Sequence, residues 1–286
     1  MSMQWISNSE ILIVGLGLMG GSYAKALSRL GYHVAAIDRD PGAIAFALEH
    51  GYIEAGTTEP DPVLLGKADA VIFALYPTVF KSFIAENQHL LKPGAFLTDV
   101  TGVKSCIVYD IQAMLRGDVE FIAAHPMAGR EVSGVQNADD RIFQNANYIV
   151  VPTDKNTPEA IAWCESLGRL LGFRRISRLS PEKHDEMIGF LSQLTHCIAV
   201  ALMTCNDNTH LVDYTGDSFR DLTRISRINE TMWSELFLLN KDELLMQMDR
   251  FIGELSEMRD MLAASDREGL MDKMRLSTER RAYFDK

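Results

Sequence analysis

The chain has 286 residues, 47% of them hydrophobic and 23% charged, with a formal net charge of −11, enough for one large or two medium globular domains. An acidic balance spread along the whole sequence argues against nucleic acid or an anionic membrane surface as partner, and no run reaches the roughly 18 apolar residues of a membrane span. A short polar lead runs into Ile11-Leu12-Ile13-Val14 without a signal-peptide pattern, and Cys106, Cys164, Cys197 and Cys205 form no C-x-x-C pair, so free thiols in a cytoplasmic protein are expected.

From the N-terminus, short apolar runs alternate with helix-like segments, the pattern of a parallel sheet flanked by helices. The predicted strands are Ile11–Gly15, His33–Asp38, Ala70–Leu75, Phe96–Asp99, Phe121–Ala124 and Tyr148–Val151. Asp40-Pro41 reads as an N-cap with proline in the first turn of a helix that stops at Gly51. Pro93-Gly94 separates a helix near 78–91 from the next strand. A helix near 157–171 and a strand at Phe173–Ser177 close a first domain, residues 1–180.

After Ser180-Pro181 the texture changes. Strand-like runs vanish, and a second, helical domain is expected over residues 181–286. There Leu244, Met248, Phe251, Leu255, Met258 and Leu262 follow an i, i+3, i+4 rhythm and form one apolar stripe. Such a stripe belongs to a core or a subunit interface. The helical half is too apolar to serve as free surface, and a homodimer sharing it is predicted. No internal repeat is present, which weighs against a solenoid.

Gly15-Leu16-Gly17-Leu18-Met19-Gly20 matches G-x-G-x-x-G. The pattern is weak alone, but here it follows a predicted strand and opens a predicted helix. The first glycine allows the tight turn, the second lets backbone approach a pyrophosphate, and the third lets helix and strand pack closely. Asp38 lies 18 residues beyond Gly20, at the end of the next strand, where a carboxylate accepts hydrogen bonds from the adenosine ribose and repels a 2′-phosphate. NAD is therefore favoured over NADP, although Arg39 next door could accommodate that phosphate. The expected class is α/β: a Rossmann-like dinucleotide-binding domain followed by an all-α dimerisation domain.

His125-Pro126-Met127-Ala128-Gly129 follows a predicted strand at the carboxyl edge of the sheet, where open α/β sheets bind ligands. A histidine beside a nicotinamide ring could take a proton from an alcohol as its hydride leaves. Spacing alone leaves a capping or core histidine equally open. His184 lies 12 residues before His196, on a different helix face, so a two-histidine metal site is rejected and no metal is expected.

Several motifs in order resemble the prephenate and arogenate dehydrogenases of tyrosine biosynthesis. They are Gly15–Gly20 with Asp38, Asp99 with Val103-Lys104, and His125-Pro-Met-Ala-Gly with Glu131 and Ser133-Gly134. In the helical half they are Ser192–His196, Phe219–Ile225 and Met232-Trp233. The resemblance implies NAD-dependent oxidative decarboxylation of prephenate to 4-hydroxyphenylpyruvate. It makes His125 the general base, Arg224 the partner of a substrate carboxylate, His196 a substrate contact, Trp233 a pocket wall and Glu131 an organiser of the entrance. A base that must be neutral predicts kcat/KM falling on the acid side of neutrality.

Two departures stand out. Where the family often has a serine bonded to the catalytic histidine, this chain has Gly102, with Thr101, Ser105 or a water left to replace the contact. Asp217, ahead of the Phe-Arg-Asp run, could pair with an amino group, which would suit arogenate, or cap a helix, the favoured reading. A 3-hydroxyacid dehydrogenase of the 3-hydroxyisobutyrate type is a rival, but the second half lacks its G-x-x-x-K-x-x-x-N pattern. A regulator that senses NAD without turnover is the non-enzyme alternative.

Overall fold

The computed structural model describes residues 9–285. The chain begins with strand β1 (Glu10–Val14), helix α1 (Leu18–Arg29), β2 (His33–Ile37), α2 (Pro41–Glu49), β3 (Ala55–Thr57), α3 (Pro62–Lys67) and β4 (Ala70–Phe73). It continues through α4 (Pro77–Asn87), β5 (Phe96–Asp99), α5 (Ser105–Met114) and β6 (Glu120–Phe121). These strands form one parallel sheet in the order β3-β2-β1-β4-β5-β6. The order reverses between β1 and β4, which opens a crevice at their carboxyl ends.

The strands are apolar on both faces because both faces are covered. Ile11 and Ile13 pack with Tyr23, Leu27 and Ala36, whereas Leu12 and Val14 pack with Phe73, Phe80, Leu97 and Ile107. A strand so sandwiched reads as a continuous hydrophobic run. The short elements β3 and α3 escaped the sequence reading, as did α5.

The segment predicted as a single strand, Phe121–Ala124, divides. Phe121 closes β6, and Ile122 N still donates to Leu97 O. The chain then enters β7 (Ala123–Met127), which pairs antiparallel with β8 (Asn147–Val151); β8 pairs parallel with β9 (Arg175–Arg178), and α6 (Pro158–Leu170) lies between them in sequence. This second sheet, ordered β7-β8-β9, leaves β7 at an edge. Pro126, which has no N–H to give, is tolerated there.

Six helices follow: α7 (Pro181–Ile188), α8 (Thr195–Thr204), α9 (Asp217–Thr223), α10 (Glu230–Leu239), α11 (Lys241–Ala263) and α12 (Arg267–Arg281). Ser180 caps α7 by accepting from Lys183 N, with Pro181 at its first position. A π-helical turn, Gly189–Leu194, joins α7 to α8. By length and composition the helix Pro181–Thr204, whose most apolar 18-residue stretch has mean hydropathy 1.6, could cross a membrane, although no unbroken apolar stretch stood out in the sequence. Gln193 within that stretch, and His184 and Asp185 ahead of it, are buried and bonded within the protein.

The apolar stripe of α11 is core only at its start. Leu244 is 5% exposed, while Leu255 is 56% and Leu262 64% exposed in the single chain.

Candidate active site

The glycine loop leaves β1 at Gly15, whose φ of +98° is the left-handed region that glycine tolerates. A Cβ on Gly15 would lie 2.5 Å from Ala74 O, and one on Gly20 would lie 1.8 Å from Gly15 O. The first and third glycines are thus demanded by the protein itself. Gly17 differs: a Cβ there meets nothing within 4 Å. Gly17 is also the N-cap of α1 without a side-chain capping bond, so no capping side chain takes the first-turn N–H groups. A dinucleotide pyrophosphate fits that combination of backbone access and positive helix end.

Leu16 and Leu18 are buried in the core and Met19 is half-buried, so these three offer a dinucleotide backbone rather than side chains. Asp38 sits just past β2. Its Oδ2 accepts from Leu16 N at 2.5 Å and its Oδ1 from Asp40 N at 2.8 Å. The carboxylate therefore braces the loop, with lone pairs remaining on both oxygens. Arg39 is exposed and, among the described residues, makes no hydrogen bond or ion pair.

At the carboxyl end of β5, Asp99, Thr101 and Lys104 form a buried knot. Lys104 Nζ donates to Asp99 Oδ2 and Ala124 O, both at 2.6 Å, and to Thr101 Oγ1 at 3.1 Å. Asp99 Oδ1 accepts from Ala124 N at 3.1 Å. The knot thereby clamps the backbone of β7 one residue before His125. Burial lowers the Lys104 pKa, and Asp99 opposes that shift. The hydroxyl of Thr101, one of the groups offered in place of the family's serine, donates to Asp99, accepts from Lys104 and lies 3.0 Å from Val103 O.

His125 projects from β7 half-buried. Its Nδ1 lies 2.8 Å from His184 Nε2, and His184 Nδ1 lies 2.8 Å from Asp185 Oδ1. Burial pushes the His125 pKa well below the usual imidazole value, and His184 and Lys104 push the same way. Burial also lowers His184, with Asp185 opposing. Burial works against the charge on Asp185, yet its bonds to His184 and the Ser105 amide carry it below the usual carboxylate range. A Cβ at Gly102 would sit 3.5 Å from Leu236 and 3.9 Å from His125 Cε1. A side chain would fit, so glycine is not imposed by space, and the ring edge faces a notch between Gly102 and α10.

The helical half supplies the opposite wall. His196 Nδ1 bonds Ser192 O at 2.8 Å, a carbonyl in the π-helical turn, and its ring stacks on Trp233 with centroids 3.7 Å apart. Arg224 Nη1 donates to Glu131 Oε1 at 2.5 Å. His196 is lowered by burial; Glu131 raises it and Arg224 lowers it, which places all three in one neighbourhood. Trp233 and Leu236 are three residues apart on α10 and share a face. That helix therefore links the His125 notch to the His196–Arg224 cluster. It is docked on the first domain by Glu235, which accepts from Thr78 N at 2.8 Å and Thr78 Oγ1 at 2.6 Å.

Asp217 does not cap α9. Gly216 is the N-cap, and Asp217 accepts from Arg220 at 3.1 Å. His184 and Asp185 were missed as site residues. The available signal was their place on α7, where Pro181, His184, Asp185 and Ile188 form the buried face. Among the described residues no group of three or more His, Cys, Asp or Glu could hold a metal ion.

Comparison with known proteins matches residues 23–176 to the domain described as "Prephenate dehydrogenase, nucleotide-binding domain" and residues 180–276 to "Prephenate dehydrogenase, dimerization domain". The first span begins after the glycine loop. Prephenate dehydrogenase of Bacillus subtilis is 29% identical over 270 residues, covering 91% of this chain and 72% of the relative. Cyclohexadienyl dehydrogenase of Zymomonas mobilis is 28% identical over 283 residues, covering 95% and 94%. Among solved structures, prephenate dehydrogenase from A. aeolicus in complex with hydroxyphenyl propionate and NAD+ is similar with a TM-score of 0.88 and 29% identity, over 99% of both chains.

Proposed function

The chain belongs to the prephenate dehydrogenase family, and from that premise we propose that its cleft works as follows in the NAD-dependent oxidative decarboxylation of prephenate to 4-hydroxyphenylpyruvate. NAD, when bound, accepts the hydride. Backbone N–H groups of Gly17 and the first turn of α1 receive its pyrophosphate, and Asp38 meets the adenosine ribose. His125 Nε2 accepts the proton of the ring hydroxyl as hydride leaves the same carbon, and loss of carbon dioxide then aromatises the ring. Arg224 receives a substrate carboxylate, which supplies the local cation a chain of charge −11 otherwise lacks. His196 and Trp233 form the wall opposite.

One observation carries this reading: His125 has one ring nitrogen engaged by His184 and its other edge at the notch beside Gly102 and Leu236. The test is NADH formation, followed by absorbance, with prephenate or arogenate against NAD or NADP. Turnover with prephenate and NAD is expected. NAD binding without turnover on either substrate would favour the sensing regulator instead. Arogenate gains no support from Asp217, whose carboxylate is bonded to Arg220.

The match to a dimerisation domain and the exposed apolar face of α11 support a homodimer formed through the helical half. A monomer by light scattering at micromolar concentration would overturn it. We put the boundary between the halves at 180/181, a reading supported by the end of the last strand and by Ser180 capping α7. Four free thiols suit a cytoplasmic setting.

A further inference from the structure

His184 and Asp185 have no part in the roles assigned above. On the buried face of α7 they occupy positions where an amphipathic helix ordinarily presents apolar side chains. Burying such groups is costly unless their polar atoms are satisfied, and here they are. Asp185 Oδ1 accepts from Lys104 N at 2.8 Å, and its Oδ2 accepts from Ser105 N at 2.8 Å. The same Oδ1 lies 2.8 Å from His184 Nδ1.

Hydrogen-bond accounting then sets both tautomers. A carboxylate that already accepts two backbone amides is an acceptor toward His184, so His184 Nδ1 carries a hydrogen. In a neutral ring, Nε2 is then bare and accepts. The 2.8 Å contact to it must be donated by His125 Nδ1–H. Neutral His125 is left with its lone pair on Nε2, the nitrogen that His184 does not engage.

We propose that Asp185 and His184 are a positioning relay that fixes His125 in the Nδ1-protonated tautomer and aims its bare Nε2 into the cleft. The catalytic use of that nitrogen rests on the reading of His125 as the base; the tautomer does not. When Nε2 gains the hydroxyl proton, Nδ1–H stays bonded to His184 Nε2 and no proton leaves the relay. The new positive charge faces an acceptor nitrogen, with the Asp185 carboxylate one ring further on. Because α7 belongs to the helical half and β7 to the dinucleotide-binding half, the relay makes the tautomer depend on their docking. The other charged or titratable groups around it are Glu182 on α7 itself, Asp99 from β5, and Lys104 and Cys106 at the start of α5; α10 contributes Leu236.

The test has two arms. Imidazole ¹⁵N shifts of the wild-type protein, with His125 identified by loss of its signals in His125→Asn, should show a protonated Nδ1 and a bare Nε2. A protonated Nε2, or shifts averaged between tautomers, overturns the relay without touching the assigned reaction. Absence of turnover in wild type would instead remove the base and leave this arm intact. In the second arm, His184→Phe removes the acceptor, while His184→Gln can offer an amide oxygen to His125 and an N–H to Asp185. With NAD affinity retained, His184→Phe should lower kcat roughly 10–100-fold, part of the reach of general base catalysis, and move the acid limb of kcat/KM further down, because burial remains while the acceptor that faces the charged ring is gone. His184→Gln should recover to within a few-fold of wild type. Equal kcat for the two variants, whether intact or depressed, or an unmoved limb in His184→Phe, overturns the proposal.

Discussion

Arg224 Nη1 donates to Glu131 Oε1 at 2.5 Å, joining the end of α9 to the loop six residues beyond His125. In the proposed role of Arg224, a substrate carboxylate would compete with Glu131 for this guanidinium. The Arg224 side chain is 65% exposed, so the low end of the range for a charged hydrogen bond applies. Arg224→Gln should cost about 1.5 kcal/mol, or roughly tenfold in the KM for prephenate, with kcat changed less. Steady-state kinetics at saturating NAD checks this, and an unchanged KM removes Arg224 from the pocket.

His125→Asn should bind NAD normally yet turn over roughly 10²–10⁴-fold more slowly. The working form of the base is neutral, and burial lowers the His125 pKa from 6.5. Protonation that silences the enzyme is thereby displaced to more acid conditions. Activity falling just below neutrality, the expectation from an ordinary imidazole, is replaced by a kcat/KM level from pH 8 through 6.5, with its acid limb lower still. Stability should respond first. Below about pH 6.5 an unfolded chain takes up protons that the buried His125 and His184 refuse, so stability declines by up to about 1.4 kcal/mol per pH unit for each ring. A kcat/KM limb centred at 6.5 in the folded enzyme would contradict the burial argument.

The glycine loop and the His125 motif were legible because their chemistry sits within a few consecutive residues beside a strand of clear apolar character. The relay was not. His184 lies 59 residues from its partner, and the sequence offered His196 as the more obvious companion to weigh it against. The break between β6 and β7 was equally hidden: Phe121 to Ala124 is uniformly apolar and buried, and only pairing with β8 shows where one sheet ends. The bonds that Thr101 makes to Asp99 and Lys104 were hidden too, because they are a matter of three-dimensional packing.

The glycines should separate two kinds of failure. Gly20→Ala forces a Cβ to 1.8 Å from Gly15 O, so the loop or α1 must move, and both Tm and NAD affinity should fall. Gly17→Ala adds a methyl to open space at an extended backbone with φ −73°. Stability should stay within about 1 kcal/mol of wild type, the scale of a change at an N-cap, while NAD affinity drops at least tenfold because the methyl occupies the pyrophosphate approach. Calorimetry with NAD titration distinguishes them. Retained NAD affinity in Gly17→Ala would mean the dinucleotide passes elsewhere.

Lys104 and Asp99 are both fully buried, with Nζ and Oδ2 2.6 Å apart. Removing one partner strands the other charge, so Lys104→Met should cost about 3–5 kcal/mol. Removing both leaves no orphan charge, and Asp99→Asn combined with Lys104→Met should be more stable than Lys104→Met alone, a coupling that a double-mutant cycle in urea would measure. The knot also holds Ala124 on both its N–H and its carbonyl, so even the stabler double variant should lose kcat through a loosened His125. Wild-type kcat in that variant would show that β7 is positioned by its pairing with β8 without help from the knot.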